Sequence, residues 1–381
     1  MIPNMDALPW VADVYQRDLQ IEKYFIGYLM HPYVSLYTGR GCPAQCSFCL
    51  WPQTIGGHKY RVRSPRGIWQ RPHSSSILRI IPRGEPQNVA DEMPYMKKLF
   101  PQEREFFFDD DTFTANLPRA REIAKKLGPW GSSLRSRMSI GGDYPTGRGP
   151  LGLTWSCNSR ANLDYDTIKS FKDNGLRLFP APWDIAESHS TACLADYPTR
   201  RVGYESGNDE ALTRIKKGVT TDEMRCFTKA CHQAGVVIHG TFILGLPVET
   251  RDTVEQTIRF AQELDVFSIQ VSLAAPYPGT ELYEQARLNG WFVKKDKTDL
   301  VEGDGFQQSA LEYPGLTKDE IFENVERFYH RYFLRPKPIL RIIKTMLEDK
   351  DVCVRRLREG YEFFKSMAQR RTDLATAKAT A

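Results

Sequence analysis

The densest chemistry in the chain lies in Cys42-Pro43-Ala44-Gln45-Cys46-Ser47-Phe48-Cys49, where three thiols stand at C-x3-C-x2-C. Thiols this close can wrap one small inorganic cluster. A four-iron cubane held by only three protein thiolates keeps one iron without a protein ligand, and that iron is a place for a substrate or cofactor to chelate. The competing chemistry is a zinc loop. Structural zinc wants four ligands, usually as two spaced pairs, so His31 or His58 would have to supply the fourth.

Other reactive residues follow apolar runs. Asp109-Asp110-Asp111 closes the run Arg104–Phe108. Three carboxylates at a strand end suit an ammonium group or a ribose, and Asp is equally favoured as a cap ahead of a helix. Arg160 lies just beyond Leu153–Cys157, and Glu205-Ser206 ends the run from Arg201. Leu246 follows Val236–Leu244, and Lys59, Arg61 and Arg63 add positive charge after the cysteines. These cations can meet a phosphate or carboxylate, or can be ordinary solvated loop charges. Cys157 can quench or relay a radical, or can be a core thiol.

The elements that must carry these residues alternate. Strands are expected at Tyr33–Tyr37, Arg104–Phe108, Leu153–Cys157, Leu176–Phe179 resuming at Arg201–Tyr204, Val236–Leu244 and Ser268–Leu273. Helices are expected near 89–100 (with Pro94 inside), 117–127, 164–174, 209–217, 220–234 and 251–264. Six such units argue for a parallel sheet. Function-bearing residues at the strands' C-terminal ends are where α/β barrels place their sites, and six units suit an open, partial (β/α)6 TIM-like barrel. The organisation expected is a lead-in over 1–30, a core over 31–295 and a helical C-terminal extension over 296–381. Three stretches lack pattern, 66–88, 129–150 and 180–200, and are expected to be exposed, irregular insertions; the third splits the fourth strand, where unpaired backbone would be costly to bury.

The chain has 381 residues, 41% hydrophobic and 26% charged, enough for a sizeable core. Its net charge of +5 is too mild to argue for nucleic acid. No apolar run reaches the length of a membrane span. The start shows no signal-peptide pattern, so scattered cysteines read as reduced thiols in the cytoplasm. Ile339–Leu347 and Val352–Arg370 are basic and amphipathic, which suits either a peripheral membrane contact, at the inner face, or packing against the barrel.

Taken together, the cysteine spacing with Phe48 before the third Cys resembles the radical S-adenosylmethionine (radical SAM) superfamily. The resemblance implies a [4Fe-4S] cluster on Cys42, Cys46 and Cys49, with SAM chelating the open iron and a 5′-deoxyadenosyl radical abstracting hydrogen from substrate. It further implies SAM contacts at Phe48, Asp109, Asp110, Arg160, Glu205, Ser206 and Leu246, and a reductant such as flavodoxin or ferredoxin. The strand-five motif Gly240–Glu249 departs from the pattern at Val248, where Gly is usual.

The runs 34–63, 105–114, 154–162, 202–218 and 239–280 are similar to the J-type radical SAM family of hopanoid biosynthesis. That similarity implies a lipid-linked sugar substrate: ring contraction of glucosaminyl bacteriohopanetetrol to its cyclitol ether. Members of that family carry an N-terminal domain of cobalamin-binding type, and residues 1–30 resemble only the linker after it, so cobalamin is not expected here. Two other readings stand beside this one. One is another radical SAM enzyme such as a methyltransferase (a methylthiotransferase would need more grouped cysteines). The other is a truncated, non-catalytic remnant that keeps a cluster or zinc.

Overall fold

The computed structural model describes residues 5–24, 26, 29–64, 89–128, 153–161, 163–177, 203–293 and 309–348, together with 353, 354, 356–358, 360, 361 and 365. The irregular stretches 66–88, 129–150 and 180–200 lie outside the described residues.

Six strands run parallel, in two groups of three. The first group is β1 (Tyr33–Leu36), β4 (Glu105–Phe108) and β5 (Trp155–Cys157), in the order β1-β4-β5. The second is β6 (Gly203–Glu205), β7 (His239–Leu244) and β8 (Ser268–Leu273), in the order β6-β7-β8. A short antiparallel ribbon, β2 (Gly39–Arg40) with β3 (Arg61–Val62), sits beside the cysteine loop. The central strand β4 is buried at every position, as a parallel strand covered on both faces must be. The fold is thus α/β with parallel sheets, as expected.

Helices alternate with the strands and cover their outer face. These are α1 (Ala12–Asp18), α2 (Val89–Leu99), α3 (Leu117–Leu127), α4 (Tyr165–Asp173), α5 (Asp209–Arg214), α6 (Thr221–Ala234) and α7 (Arg251–Leu264). The sequence stops and starts them in recognisable ways. Asp164 and Asn116 cap α4 and α3, and Thr220 with Glu223 forms a capping box on α6. Gly235 ends α6 at φ +66, a left-handed conformation that glycine adopts without strain. Pro94 lies inside α2 and does not end it.

Behind the first sheet, Trp155 is fully buried and packs at 5.5–5.9 Å against Phe108, Phe113 and Phe171. Behind the second, Tyr204 stacks on Phe242 at 5.6 Å.

Of the expected fourth strand, only the two ends fall among the described residues. Leu176 makes one parallel bridge to Trp155 on the first sheet. β6 pairs with β7 on the second. Among the described residues no continuous ladder joins the sheets.

Beyond β8 come α8 (Glu281–Asn289), α9 (Lys318–Phe333) and α10 (Pro336–Glu348). Helix α8 was not anticipated, although Thr280 caps its start and Gly290, at φ +67, its end. The break between α9 and α10 falls at Arg335-Pro336, where proline can open a helix but not continue one.

Candidate active site

The cysteine loop leaves the C-terminal end of β1 and is fastened from both halves of the barrel. From β4, Asp110 accepts hydrogen bonds from Thr38 N (2.5 Å), Thr38 Oγ1 (2.6 Å) and Tyr60 Oη (3.0 Å). Asp111 accepts from Gly41 N at 2.7 Å. Gly41 has φ +93, and a Cβ there would meet Lys59 O at 2.4 Å, so only glycine lets the loop close on the ribbon. Arg119 of α3 donates to the carbonyls of Thr38 and Arg63, both at 2.8 Å.

From the second half, Ser47 N donates to Ile215 O at 3.0 Å, and Leu282 N donates to Ser47 O at 2.9 Å. Gln53 completes the fastening. Its Nε2 donates to the carbonyls of Cys46 and Cys49 at 2.9 Å and of Ser47 at 3.3 Å, and its Oε1 accepts from Glu281 N at 2.9 Å.

Cys42 and Cys46 are buried, Cys49 is partly exposed, and all three pack in one cluster with Ala44 and Phe48. Ala44 N donates to Cys42 Sγ at 3.4 Å. His31 lies against Glu22 O at 2.9 Å, and His58 is exposed. Three clustered thiols are a donor set that fits a [4Fe-4S] cluster with one iron left open.

Beside the loop opens a cavity of about 490 Å³. Tyr37, Trp51, Asp109 and Asp111 line its loop-side wall, Glu205 and Thr241 its second-sheet wall, and Arg177, His239 and Gln270 the far end. Cys157 also lines it, and burial pushes its thiol up, keeping it protonated.

The residues proposed from sequence separate into two groups. Asp109 faces the cavity, with Tyr37 Oη at 3.0 Å and Asn158 Nδ2 at 3.4 Å. Glu205 faces it too, at φ +60 on the irregular end of β6, and pairs with the buried Lys217 at 2.7 Å. A Cβ at Gly203 would meet Glu205 Oε1 at 2.0 Å, so this ion pair requires glycine beneath it.

Asp110 is different: it is fully buried, and its carboxylate is engaged by the loop itself. Burial pushes its carboxyl up, against the opposing pull of Arg119 and Thr38. Ser206 is likewise buried, within 3.2 Å of Thr257 Oγ1 and accepting from Asn208 N. Arg160 is buried, its Nη2 3.5 Å from Lys217 O. Leu246 is fully buried in the turn after β7, and Phe48 packs between the cysteine cluster and the main core.

Sequence reasoning passed over three residues that shape the site: Gln53, Lys217 and Glu249. Glu249 is buried, and its Oε2 accepts from Gly245 N (2.5 Å) and Leu246 N (3.1 Å) while Oε1 has no hydrogen-bond partner. Burial pushes its carboxyl up to about 8 against those two donors. Val248, in the same turn, has φ +68, the left-handed region that a β-branched residue enters only under strain. The expected glycine at this position has a structural reason.

No family profile matches the chain. It is 27% identical over 360 residues to an uncharacterised methyltransferase of Pyrococcus horikoshii, covering 94% of this chain and 60% of that protein. It is 21% identical over 336 residues to the bacteriochlorophyllide d C-8(2)-methyltransferase of Chlorobaculum tepidum, covering 84% and 60%. It is 23% identical over 347 residues to the cytidylyl-2-hydroxyethylphosphonate methyltransferase of Streptomyces wedmorensis, covering 87% and 52%. Among solved structures, the radical SAM methyltransferase TsrM from Kitasatospora setae, with cobalamin and a [4Fe-4S] cluster bound, superposes with TM-score 0.51 at 16% identity, covering 80% of this chain and 53% of that one. The chain thus has the fold of a radical SAM enzyme, and it spans about half to three-fifths of the length of these relatives.

Proposed function

We propose that the chain is the core of a radical SAM enzyme, and that its reaction is methyl transfer. The observation that carries the first part is the three-cysteine loop, seated at the end of β1, fastened from both halves and set beside the cavity. In this reading Cys42, Cys46 and Cys49 hold a [4Fe-4S] cluster with SAM on its open iron. When bound, the cluster supplies one electron to SAM.

The chain's own residues bind and orient. Asp109 and Glu205 present carboxylates to the polar groups of a nucleoside cofactor. Leu246 anchors in the core the turn that Glu249 holds, and Phe48 shields the cluster from water.

Methyl transfer is supported by three relatives whose names carry it and by the fold of TsrM. Ring contraction of a hopanoid-linked sugar is the second reading, supported by the motif runs named above, of which 34–63 and 239–280 build the cysteine loop and the second-sheet wall of the cavity.

The test is anaerobic reconstitution with iron and sulfide, followed by SAM and a one-electron reductant such as reduced flavodoxin. About four irons per chain, with 5′-deoxyadenosine made by the native protein and not by Cys46→Ala, supports the radical reading. Zinc in place of iron, or iron with no SAM cleavage, overturns it. S-adenosylhomocysteine among the products supports methyl transfer over ring contraction. Repeating the assay with added cobalamin tests the expectation that this chain works without it.

A further inference from the structure

An ordinary surface helix buries its apolar stripe and exposes its charges. Helix α10 does so only in part: Pro338 is buried and Ile342 and Met346 are half-buried, while Arg341 and, just ahead of the helix, Arg335 turn toward the protein. Asp265, in the left-handed position that ends α7, receives Lys337 Nζ at 2.6 Å, Arg341 Nη2 at 3.0 Å and Arg335 Nη2 at 3.4 Å. Arg341 Nη1 also donates to Val266 O at 2.7 Å.

With those cations clamped, a second apolar line of the helix is left facing outward. Leu340 is 66% exposed, Leu347 is 83% exposed and Ile343 between them is exposed as well. Further along, the helical residues Val354, Leu357 and Tyr361 are all exposed and repeat the same spacing of three and four. Single exposed apolar residues are normal. Two sets of three exposed apolar residues, each at helical spacing, are a surface in want of a partner.

Charge identifies the partner. Residues 335–371 hold eleven Lys or Arg against five Asp or Glu, so the chain's net charge of +5 is concentrated here. A second copy would bring the same positive charge against the seam. An anionic surface complements both its apolar line and its cations. Lys344 and Arg358 each follow an apolar member of the line, Ile343 and Leu357, where a long side chain can run along apolar material and place its charge at a headgroup.

We propose that α10 and the helical residues after it lie in the headgroup plane of an anionic lipid bilayer. No helix among the described residues is long and apolar enough to cross a membrane, so the contact is one of lying on the surface. The proposal is independent of the radical chemistry.

Flotation of the full chain with vesicles tests it. One set is phosphatidylcholine alone, and the other contains about a third phosphatidylglycerol, enough for a negative surface potential. The chain is expected to float with the anionic vesicles, to float poorly with the neutral ones and to be released as salt rises. The double variant Leu340→Glu/Leu347→Glu lowers the bound fraction about tenfold or more, because it puts charge where apolar area is buried. Lys344→Glu/Arg358→Glu removes the preference for anionic over neutral vesicles. Both double variants should melt like the native chain, since none of the four side chains is in the core. Three results overturn the proposal: no flotation with either set, flotation unchanged by Leu340→Glu/Leu347→Glu, or a dimer by light scattering that this variant converts to monomer. The last would assign the face to a second copy.

Discussion

In the β1-β4-β5 half, carboxylates reach across strands. Asp110 and Asp111 leave the end of β4 and hold backbone N–H groups some 70 residues earlier in the chain, at Thr38 and Gly41. In the β6-β7-β8 half the carboxylates at and just after the ends of β6 and β7 act at home. Glu205 pairs with Lys217 twelve residues on, and Glu249 holds the turn that it belongs to. The difference follows from what each half supports. The second half presents short turns that one local carboxylate can fix. The first half carries a loop that must hold three cysteines in place, and only anchors from neighbouring strands fix a loop of that size. Gln53 ties the two together, joining the cysteine loop after β1 to the start of α8 after β8.

Breaking the local pair in the second half gives the largest loss of stability. Glu205→Gln leaves Lys217 buried without its partner, and such losses run to about 3–5 kcal/mol. Chemical denaturation should show a loss of that order. In the first half, Asp110→Asn places amide hydrogens where three donors already point. A loss of about 1–3 kcal/mol is expected, and iron retention should fall with it, because the loop is what the carboxylate holds. If Asp110→Asn loses stability but keeps full iron, the cross-strand anchoring is not what positions the cysteines. Gln53→Ala should cost about 1–2 kcal/mol and raise protection-loss rates in hydrogen exchange at both the cysteine loop and the start of α8. Exchange that rises in only one of these places would separate the halves.

Smaller effects sharpen the account of the second half. Glu249 keeps its proton in the folded protein up to about pH 8, whereas in the unfolded chain it ionises near the usual glutamate value of about 4.3. The folded state holds the extra proton between these values, so stability falls as pH rises through that window and levels off above it. Glu249→Gln should flatten that slope in melting curves taken from pH 5 to 9. Val248→Gly should stabilise the protein by about 1 kcal/mol through relief of the positive φ. A loss instead would show that packing of the valine outweighs its strain.

What the sequence made legible was local. The cysteine spacing, the apolar runs of the six strands and the glycine that ends α6 all lie within a few residues of what they specify. Pairings between distant segments were not: nothing in the composition of Asp109-Asp110-Asp111 tells which carboxylate turns to the cavity and which to the loop. Nor does Gln53 announce a contact with Glu281, 228 residues away. The amphipathic character of α10 was plain, but its orientation was set by Asp265, a tertiary contact that no helical pattern contains.

The central claim is that the cysteine loop holds a cluster with one iron open to SAM. The most direct test is electron paramagnetic resonance of the reconstituted, reduced protein before and after SAM is added. The account predicts the signal of a reduced [4Fe-4S] cluster that changes shape when SAM binds and is missing from Cys46→Ala. A cluster signal that SAM leaves unchanged, or a protein that takes up zinc and gives no signal, would contradict it.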